Sequence, residues 1–176
     1  MSDYIMPPHY YSQPPLPTAF LEPVPTILYR VPNQTWIERP AIQFHLADGR
    51  LGFPLSEAFH RNFAYLLGPD DPVFHPTTGT KVTFHIQWAQ YEFFSKAKNV
   101  VTQRRSTVNS ISRSKTAFEV AKVVKNFIDQ NSTIVVGDQR WRVGPGFIEL
   151  HDIYLLELRN VSVGSYQAIL AVMRRP

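Results

Sequence analysis

Apolar and polar residues alternate along residues 82–89, and this spacing constrains the fold of the chain more than any other feature. The apolar members are Val82, Phe84, Ile86 and Trp88. Successive side chains of a β-strand point to opposite faces, so these four residues predict a half-buried strand. Apolar runs at about 153–162 and 166–173, which meet at Gly164-Ser165, predict two more strands joined by a tight turn.

A β-hairpin is predicted around Asp48-Gly49. Apolar residues alternate with polar ones through 42–46, and an apolar run resumes at 50–53. An Asp-Gly pair readily adopts the positive φ angles that tight hairpin turns need. A shorter apolar run at 27–31, which ends at Pro32-Asn33, predicts another strand.

Two segments have the apolar spacing of amphipathic helices. The first apolar face consists of Leu55, Phe59, Phe63 and Leu66. Gly68-Pro69 then supplies a C-terminal stop, so a helix is predicted at about 55–67. Thr116 and Glu119 match a capping box, and the apolar face that follows predicts a second helix at about 117–130.

The other segments favour β-structure. Residues 91–101 are rich in aromatic residues and are predicted to continue as a strand, whereas their lysines would also suit a helix surface. Apolar runs at 134–136, 140–143 and 147–150 predict further short strands. Because most strands are adjacent in sequence and helices intervene only twice, we expect an α+β fold, with a mainly antiparallel sheet packed against the two helices.

Residues 1–25 are predicted to form a disordered proline-rich arm, since they contain seven of the 15 prolines. Proline fixes φ and lacks an amide donor, so neither a helix nor a central strand can propagate there. One folded domain is then expected over residues 26–176. Tyr10, Tyr11 and Phe20 in the arm are candidates for docking on a protein partner, although an inert tail has the same composition.

Cysteine is absent from the 176 residues, which excludes disulfides, thiolate zinc sites and cysteine nucleophiles. The first residues lack the basic region of a secretory signal. No apolar run approaches the 18 residues or so of a transmembrane helix. A cytoplasmic or nuclear protein without membrane contact is therefore expected.

The strongest charge bias lies in residues 94–115, which contain no acidic residue. Their basic residues are Lys96, Lys98, Arg104, Arg105, Arg113 and Lys115. Cations and hydroxyl groups suit phosphates, and the nearby rings of Trp88 and Tyr91 suit bases, so a nucleic acid or another anion is a candidate ligand. The alternative is a mobile polar loop between a strand and a helix. Ser106 and Thr107, beside two arginines, also match a basic-directed phosphorylation site.

Arg140-Trp141-Arg142 is a second basic and aromatic patch. In a strand, alternation places both arginines opposite the tryptophan. The arginines are thus candidate anion-binding residues, and an ordinary half-buried strand is the alternative. Trp88 and Tyr91 are also candidates for docking on a protein partner.

The chain contains no recognisable catalytic, cofactor-binding or metal-binding motif. The six histidines lack the spacing of metal ligands; His45 and His85 would be neighbours if their two predicted strands pair. Glu149, His151 and Asp152 form one compact acid and imidazole cluster, but strand alternation would separate Asp152 from His151. A hydrolase using His151 is therefore the least favoured function.

Residues 35–40 (TWIERP), 87–92 (QWAQYE), 141–144 (WRVG) and 161–166 (VSVGSY) resemble small proteins of mushroom-forming fungi. The resemblance covers about residues 26–170 and agrees with an intracellular protein without cysteines. It implies no particular activity, cofactor or site residue.

A non-catalytic binding or adaptor domain agrees best with the aromatic content and the absence of a reaction motif. The expected partner is a protein, with a second copy of the chain among the options. A nucleic acid bound by the basic segment is the alternative.

Overall fold

The computed structural model describes residues 19–29, 36–75, 78–104 and 107–175, with the backbone alone for 102–104 and 107–109. This part of the chain contains nine strands and two α-helices. The strands are β1 (Phe20–Pro23), β2 (Ile42–Gln43), β3 (Phe53–Pro54), β4 (Lys81–Ile86), β5 (Phe94–Asn99), β6 (Val101–Arg104), β7 (Thr107–Ser110), β8 (Ile153–Ser162) and β9 (Ser165–Arg174). The helices are α1 (Leu55–Phe59) and α2 (Arg113–Asn131).

Seven strands form the main sheet, in the order β2-β8-β9-β4-β5, with β3 paired to β8 and β1 paired to β9. All of its pairs are antiparallel except β4 with β9, which is parallel. Strands β6 and β7 pair only with each other, as a separate two-stranded ribbon. The α+β class is therefore confirmed, with a mainly antiparallel sheet.

The alternating patterns correctly located the longest strands. Strands β8 and β9 pair along their length and turn at Gly164, whose φ is +69°. The four apolar residues of the 82–89 pattern are buried, as expected for the inward face of β4. The predicted strand in 91–101 is β5. His45 pairs with Leu51 across the predicted turn, in which Gly49 has a φ of +88°.

Helix α2 starts earlier than predicted. Its N-cap is Ser112, whose hydroxyl accepts from the amide of Lys115, whereas Thr116 lies inside the helix and donates its hydroxyl to the carbonyl of Ser112. Both residues fit an N-cap, but the Ser112 position also lets Arg113 and Ser114 donate amides to the carbonyls of Asp71 and Pro69, in the loop between α1 and β4. α2 packs against β4, β5 and α1 to enclose the core.

The first predicted helix, 55–67, is wrong in length, since α1 has five residues. Arg61 adopts a left-handed φ of +59°, which ends the helical path. Beyond it, Leu66 forms an antiparallel bridge with Leu46 and is buried. The apolar residues after Phe59 therefore pack on the core from an irregular segment that contains turns, so burial alone accounts for their spacing.

The strands predicted at 134–136, 140–143 and 147–150 are absent. Gln139–Trp141 and Leu150–Asp152 are short 3₁₀ helices, and one parallel bridge joins Val143 to Ile148. Gly144 has a φ of +120°, and a Cβ there would lie 2.9 Å from the Cβ of Ser132. This close approach bends the chain where a strand would have to continue.

The predicted boundary of the arm is also wrong. Phe20–Pro23, inside the expected arm, form β1 on β9, and Val24 donates its amide to Leu170. Residues 27–29 are not in a strand. Residues 1–18, with Tyr10 and Tyr11, lie outside the described part of the chain.

Candidate functional site

Four lysines and one buried carboxylate line a cavity beside strand β5, at the edge of the main sheet. Lys115 and Lys122 lie on α2, Lys98 on β5 and Lys81 on β4, and all four line a cavity of about 530 Å³ with Glu119. We call this group the lysine surface. It contains two of the predicted anion-binding residues, Lys98 and Lys115, and two that sequence analysis did not select.

Glu119 holds the lysine surface together. Its carboxylate lies 3.0 Å from the Nζ of Lys122, 3.1 Å from that of Lys115 and 3.7 Å from that of Lys98. The Glu119 side chain is only 10% exposed. One carboxylate thus balances one of three nearby ammonium groups, and the surface keeps an excess of positive charge.

The pKa of Glu119 reflects the same arrangement. Burial raises its pKa, but hydrogen bonds from Lys122 and Lys115 favour the carboxylate and outweigh the burial, so the net pKa is lowered. Glu119 is therefore ionised at neutral pH.

The ring of Phe118, on α2, lies close to three cations. The guanidinium of Arg61 lies 4.5 Å from the ring centroid of Phe118, and the Nζ atoms of Lys115 and Lys122 lie 5.0 Å from it. Cations at these distances are attracted by the negative face of the ring. Phe118 thereby extends the basic surface towards Arg61.

Basic residues are also concentrated in the part of the sequence that supplies most of the lysine surface. Residues 94–125 contain eight of the 18 basic residues and one of the 14 acidic residues, which is Glu119. Their net charge of +7 exceeds the +4 of the whole chain, so the rest of the chain is net acidic. This segment forms β5, the ribbon and α2, and it carries the excess positive charge of the chain.

The base of the β6–β7 ribbon borders the lysine surface, since Val101 and Ile111 line the same cavity. The backbone of Arg104 ends strand β6, opposite Thr107. Arg105 and Ser106 lie outside the described residues. Lys96 is exposed on β5, with its Nζ 5.5 Å from the ring of Phe94.

The other predicted basic residues lie elsewhere. Arg113 points away from the lysine surface and pairs with Asp71 at 3.8 Å. Arg140 and Arg142 line a separate cavity of about 320 Å³. Arg113, Arg140 and Arg142 therefore lie outside the lysine surface.

The second basic patch packs against neighbouring side chains. Trp141 is buried as predicted, but in a 3₁₀ helix, so the strand alternation of Arg140 and Arg142 does not apply. Asp138 pairs with Arg140 at 3.0 Å, and the guanidinium of Arg142 lies 3.9 Å from the ring of Phe147. Arg140 thus has a carboxylate partner, whereas Nε of Arg142 has no hydrogen-bond partner among the described residues.

Two of the predicted docking residues belong to the interior. Trp88 is 1% exposed, and its Nε1 donates to the carbonyl of Trp141. Tyr91 is half-buried, and its hydroxyl accepts from the amide of Val143. Their place in the core is a correction to their role as docking or stacking residues. Phe20, by contrast, is 60% exposed.

The acid and imidazole cluster around His151 stabilises a turn. His151 Nε2 does lie 3.5 Å from Asp152, because both belong to a 3₁₀ helix and not to a strand. However, Asp152 also accepts from the amide of Glu149, and the carboxylate of Glu149 accepts from Gly146. Glu149 and Asp152 thereby form the capping box of the 3₁₀ helix, and the bond from Gly146 holds the preceding turn.

His45 and His85 do not become neighbours, since His45 faces Leu51 whereas β4 pairs with β5 and β9. Across the described ranges, no three side chains of His, Asp or Glu come together as a metal site would require.

The lysine surface was partly visible in the sequence. Lys115, Glu119 and Lys122 have the i,i+4 and i,i+3 spacing of paired charges on a helix. Lys81 and Lys98 had no such signal, because only the pairing of β4 with β5 brings them beside α2.

Within the described residues, neither helix has the length and apolarity needed to cross a bilayer. Comparisons of the chain with protein-family models, with curated proteins and with solved structures found no match.

Proposed function

We propose that this protein is a non-catalytic binding domain and that its ligand is a nucleic acid held through its phosphates. The observation that carries the proposal is the lysine surface, in which three ammonium groups share the single carboxylate of Glu119. A row of phosphates is the common biological partner that can use such an excess of ammonium groups.

The position of the cations supports contact with a polymer. Lys96 on β5 and Arg61 beside Phe118 lie next to the residues of the lysine surface, so positive groups continue beyond its cavity. Contacts of this kind go to the backbone and carry little sequence information. We therefore expect binding that depends strongly on salt and weakly on base sequence.

Fluorescence anisotropy with labelled 20-nucleotide RNA and DNA, single-stranded and duplex, tests the proposal over a series of salt concentrations. The test variant is Lys115→Gln with Lys122→Gln. Loss of two phosphate contacts should lower the slope of log K against log salt by roughly 1.5. Arg50→Gln is the matched control, because Arg50 pairs with Asp48 on the exposed hairpin turn.

The control should bind like the unmodified protein. If none of the four nucleic acids binds at low salt, the proposal is wrong. Equal salt slopes for the double variant and for the control would show that binding occurs at another surface.

A protein-binding domain is the second candidate, and a row of exposed apolar side chains favours it. Leu51 and Leu67 lie on either side of His45. His45 forms a β-bridge with Leu51, and its backbone carbonyl accepts from the amide of Leu67. Tyr65, two residues before Leu67, is 70% exposed, and Leu67 is 51% exposed. Neighbouring exposed apolar side chains are typical of protein contact sites.

A quantitative pull-down from native extract tests this second candidate. The test variant is Tyr65→Ser with Leu67→Ser, and the control is Val163→Ser, which alters an exposed apolar residue on the β8–β9 turn. A partner retained by the control and lost by the test variant is expected. Recovery of the same proteins with both variants would contradict it.

A further inference from the structure

Two stretches of the described chain, residues 39–43 and residues 71–75, border a groove. It encloses about 630 Å³, within the usual range of ligand sites. We call it the Arg113 groove, after the side chain that crosses it. It is separate from the lysine surface, with which it shares no lining residue.

Hydrogen bonds hold the two walls of the groove in place. On one wall, Ile42 and Gln43 form β2 and pair with β8. On the other wall, Pro72 bridges Ser112, and the amide of Phe74 donates to the hydroxyl of Ser110. Both walls are therefore fixed by their backbones to the sheet or to the start of α2.

Arg113 joins the walls. Its Nη1 donates to the carbonyl oxygen of Gln43, and its Nη2 lies 3.8 Å from the carboxylate of Asp71. A guanidinium has five N–H donors, so these two contacts leave donors for a ligand. The Arg113 side chain is 21% exposed, which places the charge where a ligand can reach it.

The lining charges are mainly positive. Two guanidinium groups, of Arg39 and Arg113, face the groove with a single carboxylate, that of Asp71. The imidazoles of His45 and His75 also line it. The donors of Arg113 that Gln43 and Asp71 leave unused suit a ligand with one negative group, since a planar carboxylate matches the fork of a guanidinium.

The remaining lining is apolar. Phe74 and Tyr166 are buried and meet edge to face, with their ring centroids 5.2 Å apart. Leu67, from the exposed apolar row, also lines the groove. An occupant must therefore present an apolar group beside its negative group.

We propose that the Arg113 groove binds a short extended peptide segment of a partner protein, with an acidic side chain at Arg113 and an apolar side chain at Leu67. The proposal rests on the protein-binding candidate function and names the chemistry of its partner. Each wall is five residues long, so an extended segment of about five residues, roughly 17 Å, matches the groove.

NMR titration of the ¹⁵N-labelled protein tests the proposal. The probes are acetylated and amidated pentapeptides with a central Glu or Asp between Leu or Val residues, and the controls are the same peptides with Gln or Asn at the centre. We expect shifts of amides in 39–43 and 71–75, and at least tenfold weaker binding of the neutral peptides. A salt bridge between a guanidinium and a carboxylate that is partly shielded from water accounts for such a difference.

Two variants locate the contacts. Arg113→Met should abolish the preference for the acidic peptides, and Leu67→Ser should weaken all peptides while the preference remains. Because Arg113 also joins the walls, Leu67→Ser, on an exposed rim residue, keeps the test informative if Arg113→Met fails to fold. Arg159→Met is the control, since Arg159 pairs with Glu157 on β8 outside the groove.

Three outcomes overturn the proposal. They are no shift with any peptide, equal binding of acidic and neutral peptides, and equal shifts with sodium acetate, which would indicate a site for small carboxylates. The last two differ from failure of the protein-binding function, which would show as an unchanged pull-down with the Tyr65 and Leu67 variant.

Discussion

The indole Nε1 of Trp88 donates a hydrogen bond to the carbonyl oxygen of Trp141, 2.9 Å away, and joins the segment after β4 to a 3₁₀ helix 53 residues later. The Trp88 ring also lies 5.8 Å from that of Phe127 on α2. A residue that sequence alone makes a candidate for docking is thus a structural link between a strand, a helix and a loop.

Trp88→Phe should destabilise the protein by about 2–4 kcal/mol, because it leaves the carbonyl of Trp141 without its donor and opens a cavity. Urea denaturation followed by circular dichroism measures the change. Phe93→Leu, at a 44% exposed ring, is a control that should cost less. Equal losses in the two variants would contradict the structural role of Trp88.

Gln167→Leu should loosen the segment before residue 30 from the sheet. The buried Gln167 side chain accepts from the amide of Tyr29 and donates to the hydroxyl of Thr26 and the carbonyl of Ile27. Leucine keeps the volume but leaves these groups unpaired, at a cost of about 1–3 kcal/mol.

Hydrogen exchange of the Tyr29 amide is the direct measurement for this variant. Exchange should accelerate in Gln167→Leu and stay unchanged in Gln130→Leu, an exposed glutamine near the end of α2. Slow exchange of Tyr29 in both variants would show that Gln167 does not hold the segment.

Acid should destabilise the protein through His85. The ring lies about 5 Å from the rings of Tyr29 and Phe93, and no hydrogen-bond partner for either nitrogen occurs among the described residues. Burial lowers the pKa of His85, because the charged imidazolium loses its hydration there. The unfolded chain then binds the proton more readily than the folded chain.

The free energy of unfolding should therefore fall as the pH drops below about 6.5, the ordinary histidine pKa, towards the lowered pKa of the folded state. Urea midpoints at pH 7.5 and pH 5 measure the fall. His85→Phe should reduce it, since the remaining histidines are common to both proteins. An identical pH dependence in the variant would contradict the assignment to His85.

Glu119→Gln should tighten nucleic-acid binding about fivefold. The change removes the one carboxylate from the lysine surface, and a unit charge at about 4 Å in water contributes about 1 kcal/mol. Anisotropy at a fixed low salt concentration measures the gain, and Glu57→Gln, on α1, is the control. Weaker binding by Glu119→Gln would mean that the carboxylate positions the lysines more than it competes with phosphate.

Sequence pattern alone located the elements whose evidence is local. The alternation of residues 82–89, the Gly164 turn and the Asp48-Gly49 turn each lie within a dozen residues of the chain, and each matches the structure. The existence of α2 followed equally from its apolar face. Its start did not, because Ser112 and Thr116 both suit an N-cap and only the long-range contacts of the helix start with Pro69 and Asp71 distinguish them.

The candidate site could be predicted only in part. The helical spacing of Lys115, Glu119 and Lys122 is local and available from sequence. Lys98 lies beside Glu119 only because β5 pairs with β4 and α2 packs on both strands. Arg113 lies two residues from Lys115 on α2, yet its side chain enters a different cavity.

The sequence by itself determined which segments bury an apolar face, since periodicity records the side of an element that avoids water. Only the tertiary structure decided which residues cover the other, polar face of each strand or helix. His85 lies on the predicted polar side of its strand, yet it is buried against Tyr29. Gln167 of β9 is also buried, under residues 26–29, which no periodicity ties to the sheet. Long-range contacts of this kind depend on the shape of the assembled sheet, so neither segment encodes them alone.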